Sequence, residues 1–99
     1  MRMLIKVQVP TEAGNAAIKD GSFPEIMGKA LEALKAEAAY FIAEDGMRTG
    51  LIFCEMADST DIPSAAEPFF QGLGAKITLL PTMNADEMAA GVAKAVAAA

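Results

Sequence analysis

The chain has 99 residues, of which 54% are hydrophobic, and a net charge of -5 from 13 acidic and 8 basic side chains. This length predicts a single domain over residues 1–99, and the negative charge works against binding to nucleic acid or to an anionic membrane surface. No apolar run approaches the roughly 18 to 20 residues of a membrane span, and a lone cysteine, Cys54, excludes an intrachain disulfide. We therefore expect a soluble, cytoplasmic protein.

The first half of the chain predicts one strand and two helical segments. Residues 3–9 alternate in the manner of a strand that ends at Pro10. A weak helix capped by Thr11 and broken at Gly14 is expected to run to residue 19. Ser22 and Glu25 form a capping-box pattern, which predicts the start of a stronger amphipathic helix with its apolar face at residues 26, 27, 30, 31 and 34.

The segment from residue 38 to residue 56 predicts a β-hairpin around Asp45-Gly46, a pair suited to a tight turn with positive φ angles. This turn pairs Ile42 with Thr49 and Tyr40 with Leu51. Both faces of the hairpin are then largely apolar, so we expect both to be covered.

The second half predicts a helix, a strand and a final helix. Ser64 and Glu67 form a second capping-box pattern for a short helix over residues 65–71, whose aromatic side chains Phe69 and Phe70 should pack on the sheet. Residues 76–80 predict a strand, and Pro81 favours an edge position for it. Asn84 caps the last helix, which carries an apolar stripe at residues 88, 92 and 96.

The resulting order is β-α-β-β-α-β with an extra C-terminal helix, the ferredoxin-like arrangement of the α+β class. Right-handed crossovers predict a four-stranded antiparallel sheet in the order 4-1-3-2 with the helices on one face. The other face, which includes Leu4 and Leu80, is bare in a monomer. A homodimer that packs two such sheets together would cover it.

Four segments carry a family resemblance: YF (40–41) with EDGMRTG (44–50), IP (62–63), EPFF (67–70) and LPTM (80–83). They resemble a small bacterial family of uncharacterised proteins in the dimeric α+β barrel superfamily, in which two ferredoxin-like subunits join their sheets into one barrel. The resemblance implies this fold and a dimer. It implies no single chemistry, since the superfamily includes isomerases, monooxygenases, haem-degrading enzymes and proteins of unknown role.

The candidate ligand-binding residues are polar side chains placed on or beside the predicted bare face: Lys6, Gln8, Tyr40, Arg48, Thr49 and Glu55. Lys6 could act as a base, or it could pair with Glu55 or another carboxylate and fix the dimer register. Tyr40 could orient a ligand oxygen or pack as an ordinary strand residue. Arg48 with Thr49 could hold an anion, or Arg48 could pair with Glu44 or Asp45.

The remaining motifs exclude several classes of site. The acidic residues of the hairpin and the following loop match no metal-binding loop, and no nucleotide-binding glycine loop is present, so we expect no metal and no cofactor. Three functions stay open. The protein is a homodimer that binds a small, largely apolar ligand, or a cofactor-independent isomerase or monooxygenase that uses Tyr40 or Lys6 as acid or base, or a purely structural dimer.

Overall fold

The computed structural model describes residues 1–99. Its elements in chain order are β1 (Arg2–Val9), α1 (Thr11–Asp20), α2 (Ser22–Leu34), β2 (Ala38–Glu44), β3 (Met47–Glu55), α3 (Asp61–Leu73), β4 (Lys76–Pro81) and α4 (Ala85–Ala98). The strands form one antiparallel sheet in the order β2-β3-β1-β4. The predicted strand order and the edge position of β4 are therefore confirmed, and the fold is ferredoxin-like with an added C-terminal helix.

The hairpin between β2 and β3 turns at Asp45-Gly46, as its sequence predicts. Asp45 has a φ of 54° and Gly46 a φ of 73°, both in the left-handed region that this pair tolerates. Ile42 lies opposite Thr49, and Tyr40 lies opposite Leu51. The turn chemistry therefore sets the register of the whole hairpin.

The hydrophobic core lies between one face of the sheet and the helices. Ile5, Val7, Ile52 and Cys54 are fully buried on this face. The helices cover them with buried side chains that include Met27, Ala30, Phe69 and Leu73. The prediction that Phe70 packs on the sheet is wrong, because Phe70 lies on the outer side of α3 and is exposed.

The opposite face of the sheet is uncovered, and we call it the open face. Its side chains form three rows across strands β2, β3, β1 and β4: Ala38, Phe53, Leu4 and Leu80; then Tyr40, Leu51, Lys6 and Thr78; then Ile42, Thr49, Gln8 and Lys76. The first row is wholly apolar. Polar side chains become more frequent toward the third row, so the open face is apolar at one end and polar at the other.

Helices α1 and α2 differ from the prediction. Thr11 does not cap α1, because it is already the first helical residue and Pro10 occupies the N-cap position. Helix α1 runs unbroken through Gly14, whose N–H donates to the carbonyl of Pro10 over 2.8 Å. Gly21, with a φ of 80°, ends α1 and also precedes the first residue of α2. Ser22 is therefore already helical and forms no capping box with Glu25; its N–H donates instead to Oδ1 of Asp20 over 2.8 Å.

Helix α3 also begins earlier than predicted, at Asp61 rather than at residue 65. The preceding turn accounts for this start, because Oδ2 of Asp61 accepts the N–H of Asp58 and Oδ1 of Asp58 accepts the N–H of Thr60. Ser64 consequently lies inside the helix, where its hydroxyl donates to the carbonyl of Asp61, and the predicted capping box with Glu67 does not form.

Helix α4 has the predicted cap but buries none of its residues. Oδ1 of Asn84 accepts the N–H of Glu87 over 2.8 Å, and Oε1 of Glu87 accepts the N–H of Asn84 over 2.9 Å. No residue of α4 is buried, and its stripe of Met88, Val92 and Val96 is exposed. The radius of gyration is 15.8 Å, compared with about 13 Å for a compact domain of this length. The helix therefore projects from the body of the molecule.

None of the four helices combines the length and the apolar character needed to cross a lipid bilayer.

Candidate functional site

A cleft of about 570 Å³ lies on the helical side of the sheet, beside the hairpin. Thr11 and Asn15 of α1 form one edge, the first two turns of α2 form another, and the paired ends of β2 and β3 form the floor. The cleft exists because α1 and α2 leave the turn end of the hairpin uncovered.

The walls of this cleft are mostly apolar. Phe23 and Met27 extend from α2, and Phe41 and Met47 extend from the hairpin. A Cβ atom added at Gly50 would lie 3.4 Å from Cε1 of Phe41, so the phenyl ring covers this glycine. Phe41 is nevertheless 54% exposed. A large aromatic surface is therefore available to a ligand.

Arg48 supplies the only charged group of the cleft. Its Nη2 donates to Oδ1 of Asn15 over 3.1 Å. The chain of α1 passes close above the guanidinium, since a Cβ atom at Gly14 would lie 2.7 Å from Nη1 of Arg48. The predicted pairing of Arg48 with Glu44 or Asp45 is wrong. Strand β3 directs Arg48 toward the helices, where its hydrogen-bond partner is the neutral Asn15.

A second polar cluster lies on the open face. It consists of Lys6 from the second row, Gln8 and Thr49 from the third row, and Glu44 beyond the third row on β2. Lys6 forms an ion pair with Glu44, and Nε2 of Gln8 donates to the same Oε2 atom of Glu44 over 3.0 Å. Thr49 is buried beside Gln8, and its hydroxyl donates to the carbonyl of Met47. The carboxylate partner of Lys6 is thus Glu44 and not Glu55.

Tyr40 and Glu55 lie apart from this cluster. Tyr40 is 62% exposed in the second row, where Leu51 separates it from Lys6. Glu55 lies at the opposite end of β3, and its Oε2 accepts from the amino group of Met1 over 2.7 Å. The six predicted residues therefore fall into separate groups, and only Arg48 and Thr49 line the cleft.

Several cleft residues were not predicted as site residues: Asn15, Phe23, Met27, Phe41 and Met47. Phe41 and Met47 read as ordinary strand residues, and Phe23 and Met27 read as the start of an amphipathic helix. The one informative signal was Gly14-Asn15 within a helical pattern, since a glycine there permits close approach of another group.

Outside the two polar groups, the pKa shifts of Cys54 and Asp58 have local causes. Burial raises the pKa of the Cys54 thiol, and the nearby carboxylates of Glu37 and Glu55 add to this effect, which favours the neutral thiol over the thiolate. Hydrogen bonds from Thr60, first from its backbone N–H, lower the pKa of Asp58. No three acidic or cysteine side chains converge on one point. Asp58 and Asp61 bond within the turn before α3 instead.

Comparison with known proteins yields a fold but no family. No protein-family model matches the chain, and no curated protein matches it. Among solved structures, a formyltetrahydrofolate deformylase from Pseudomonas putida KT2440 resembles it with a TM-score of 0.53 and 8% sequence identity. The match covers 83% of this chain and 29% of that one. At this identity the likeness concerns the fold alone, and the chain spans less than a third of the deformylase.

Proposed function

We propose that the protein binds a small, largely apolar molecule in the cleft between α1, α2 and the hairpin. The observation that carries this proposal is a cleft of about 570 Å³ with aromatic and methionine walls and a few polar groups at one edge. Pockets for small ligands have volumes of about 300 to 1,000 Å³ and the same mixture of apolar walls and sparse polar groups.

A neutral fluorescent probe, N-phenyl-1-naphthylamine, tests this proposal. Ala43 is an exposed residue at the cleft, and Ala43→Trp fills the space without replacing a core residue. Ala33→Trp, at an exposed position of α2 outside the cleft, is the matched control. We expect saturable fluorescence enhancement with the wild type and with Ala33→Trp, and a loss of at least tenfold in affinity with Ala43→Trp. Equal binding by all three proteins would overturn the assignment of the cleft.

We also propose that a second copy of the chain covers the open face, as in the dimeric α+β barrel that the sequence resembles. The accessible surface is 6318 Å², about 900 Å² more than the roughly 5,400 Å² of a compact monomer of this mass. A standard interface buries about 800 Å² on each partner. The apolar rows of the open face and the exposed stripe of α4 supply a surface of the right character.

Within this proposal the protein is a single-domain, cytoplasmic homodimer. The contacts of Lys6 and Tyr40 favour binding over the enzymatic alternative. Lys6 is already ion-paired with Glu44, and Tyr40 lies outside the cleft with Leu51 between it and Lys6. Neither side chain shares a concave site with the other.

A further inference from the structure

The chain has two arginines, and their environments differ. Arg2 contacts two carboxylates, with Nη1 2.7 Å from Oε1 of Glu87 and Nε 3.7 Å from Oε2 of Glu37. Arg48 makes no ion pair, although the chain has 13 acidic residues to 8 basic ones. Its single side-chain hydrogen bond goes to the neutral Asn15. The positive charge of Arg48 is therefore not neutralised within the chain.

The position of Arg48 is fixed from two sides. Asn15 holds Nη2, and the backbone of α1 at Gly14 limits the movement of Nη1. A guanidinium has five N–H donors, and only one is used here by another side chain. The remaining donors belong to a half-buried group at the edge of an apolar cleft.

The lining of the cleft complements a negative charge. None of the acidic residues of the chain lines it. Glu44, which is four residues from Arg48, is directed to the open face and held there by Lys6 and Gln8. An anion next to Arg48 would therefore meet no carboxylate within the cleft.

We infer that the ligand of the cleft is an organic carboxylate: a monoanionic acid with a flat or extended apolar body. This inference rests on the proposed function and names the class of its ligand. A carboxylate accepts two parallel N–H donors from one arginine, a geometry that a lysine cannot offer. One arginine and no second cation suits a single negative charge better than the higher charge of a phosphoryl group. The apolar body packs against Phe23, Met27 and Phe41.

The test uses two probes of equal shape, naphthalene-2-carboxylate and the neutral naphthalene-2-carboxamide, measured by calorimetric titration at low salt. We expect the carboxylate to bind at least tenfold more tightly than the amide to the wild type. Arg48→Met should abolish the preference, so that the carboxylate and the amide bind with affinities within about twofold of each other. Arg48→Lys should keep part of the preference.

A second variant keeps the test valid if Arg48→Met disturbs the fold. Asn15→Ala is at an exposed helical position and frees the guanidinium without removing it. It should reduce the preference for the carboxylate by about threefold. Equal affinities of the two probes, unaffected by these variants, would overturn the carboxylate class and leave ligand binding standing. Failure of both probes to bind, together with probe fluorescence insensitive to Ala43→Trp, would overturn the proposed function itself.

Discussion

Gly14 shows how one residue can take on a different meaning once the chain is folded. In the sequence it reads as a helix breaker, because glycine costs a helix interior about 1 kcal/mol relative to alanine. In the structure α1 continues through it, and the missing side chain leaves room for the guanidinium of Arg48. A packing requirement of Arg48 therefore explains a residue that local propensity disfavours.

Replacing Gly14 by alanine tests this explanation against a matched control. Gly28 lies in α2 and has no atom within 4 Å of an added Cβ, so Gly28→Ala should stabilise the protein by about 0.5 to 1 kcal/mol. Gly14→Ala should be less stable than Gly28→Ala by about 1 to 3 kcal/mol, because Arg48 must move. Urea unfolding measures both. Equal gains in the free energy of unfolding for the two variants would contradict this explanation, because Arg48 would then move aside without an energetic penalty.

The ion pair of Lys6 with Glu44 has side chains that are 25% and 35% exposed. A double-mutant cycle of Lys6→Met and Glu44→Gln should give a coupling energy of about 0.5 to 1 kcal/mol in urea unfolding, since partly solvated pairs contribute little. The exposed pair of Lys29 and Glu25 in α2 is the control and should give a smaller coupling. A Lys6–Glu44 coupling no larger than the control would contradict a specific structural role for this pair.

At the scale of elements, the sequence predicts those features that depend on local chemistry. The Asp45-Gly46 turn and the Asn84 cap were both predicted because each depends on a few adjacent residues. The capping boxes at Ser22 and Ser64 were wrong for a different reason. Gly21 links α1 directly to α2, and the Asp58–Asp61 turn starts α3 early. In both cases the segment that precedes the helix, and not a serine cap, determines the residue at which the helix begins.

The cleft could not be predicted in the same way. It depends on how α1 and α2 cross the hairpin, and residues far apart in the sequence meet there. Arg48 was named as an anion-binding candidate from its place beside the turn. Its partner Asn15 was missed because it lies 33 positions away. The sequence thus indicated two residues of the site, Arg48 and Thr49, and not the surface that surrounds them.

The stability of the first turn of α4 should depend on pH. The pKa of Glu87 is lowered, first by the hydrogen bond from the backbone of Asn84 and then by Arg2. A lowered pKa in the folded state means that the ionised form stabilises this helix start above the ordinary value of 4.5, and that this stabilisation is lost as the pH falls through the lower folded value. The protection factors of the Glu87 and Met88 amides, which correct the exchange rates for their intrinsic pH dependence, should therefore fall below that pH. In Glu87→Gln these protection factors should not change over the same pH range.

At the scale of the whole molecule, the proposed dimer assigns a partner to the apolar surface of the open face. Leu80 on the open face and Phe70 on α3 are 47% and 44% exposed, so they form a matched pair. Leu80→Glu should shift the protein from dimer to monomer in sedimentation equilibrium, because it buries a charge against the partner sheet. Phe70→Glu should leave the dimer intact. The same dissociation by both variants would contradict an interface on the open face.

The most direct measurement is native mass spectrometry of the protein purified from the cells that produce it, followed by denaturing mass analysis of any released molecule. We predict the mass of a dimer that carries one small organic acid on each chain. A dimer that carries nothing would contradict ligand binding. A monomer that carries nothing would contradict both the covered open face and the occupied cleft.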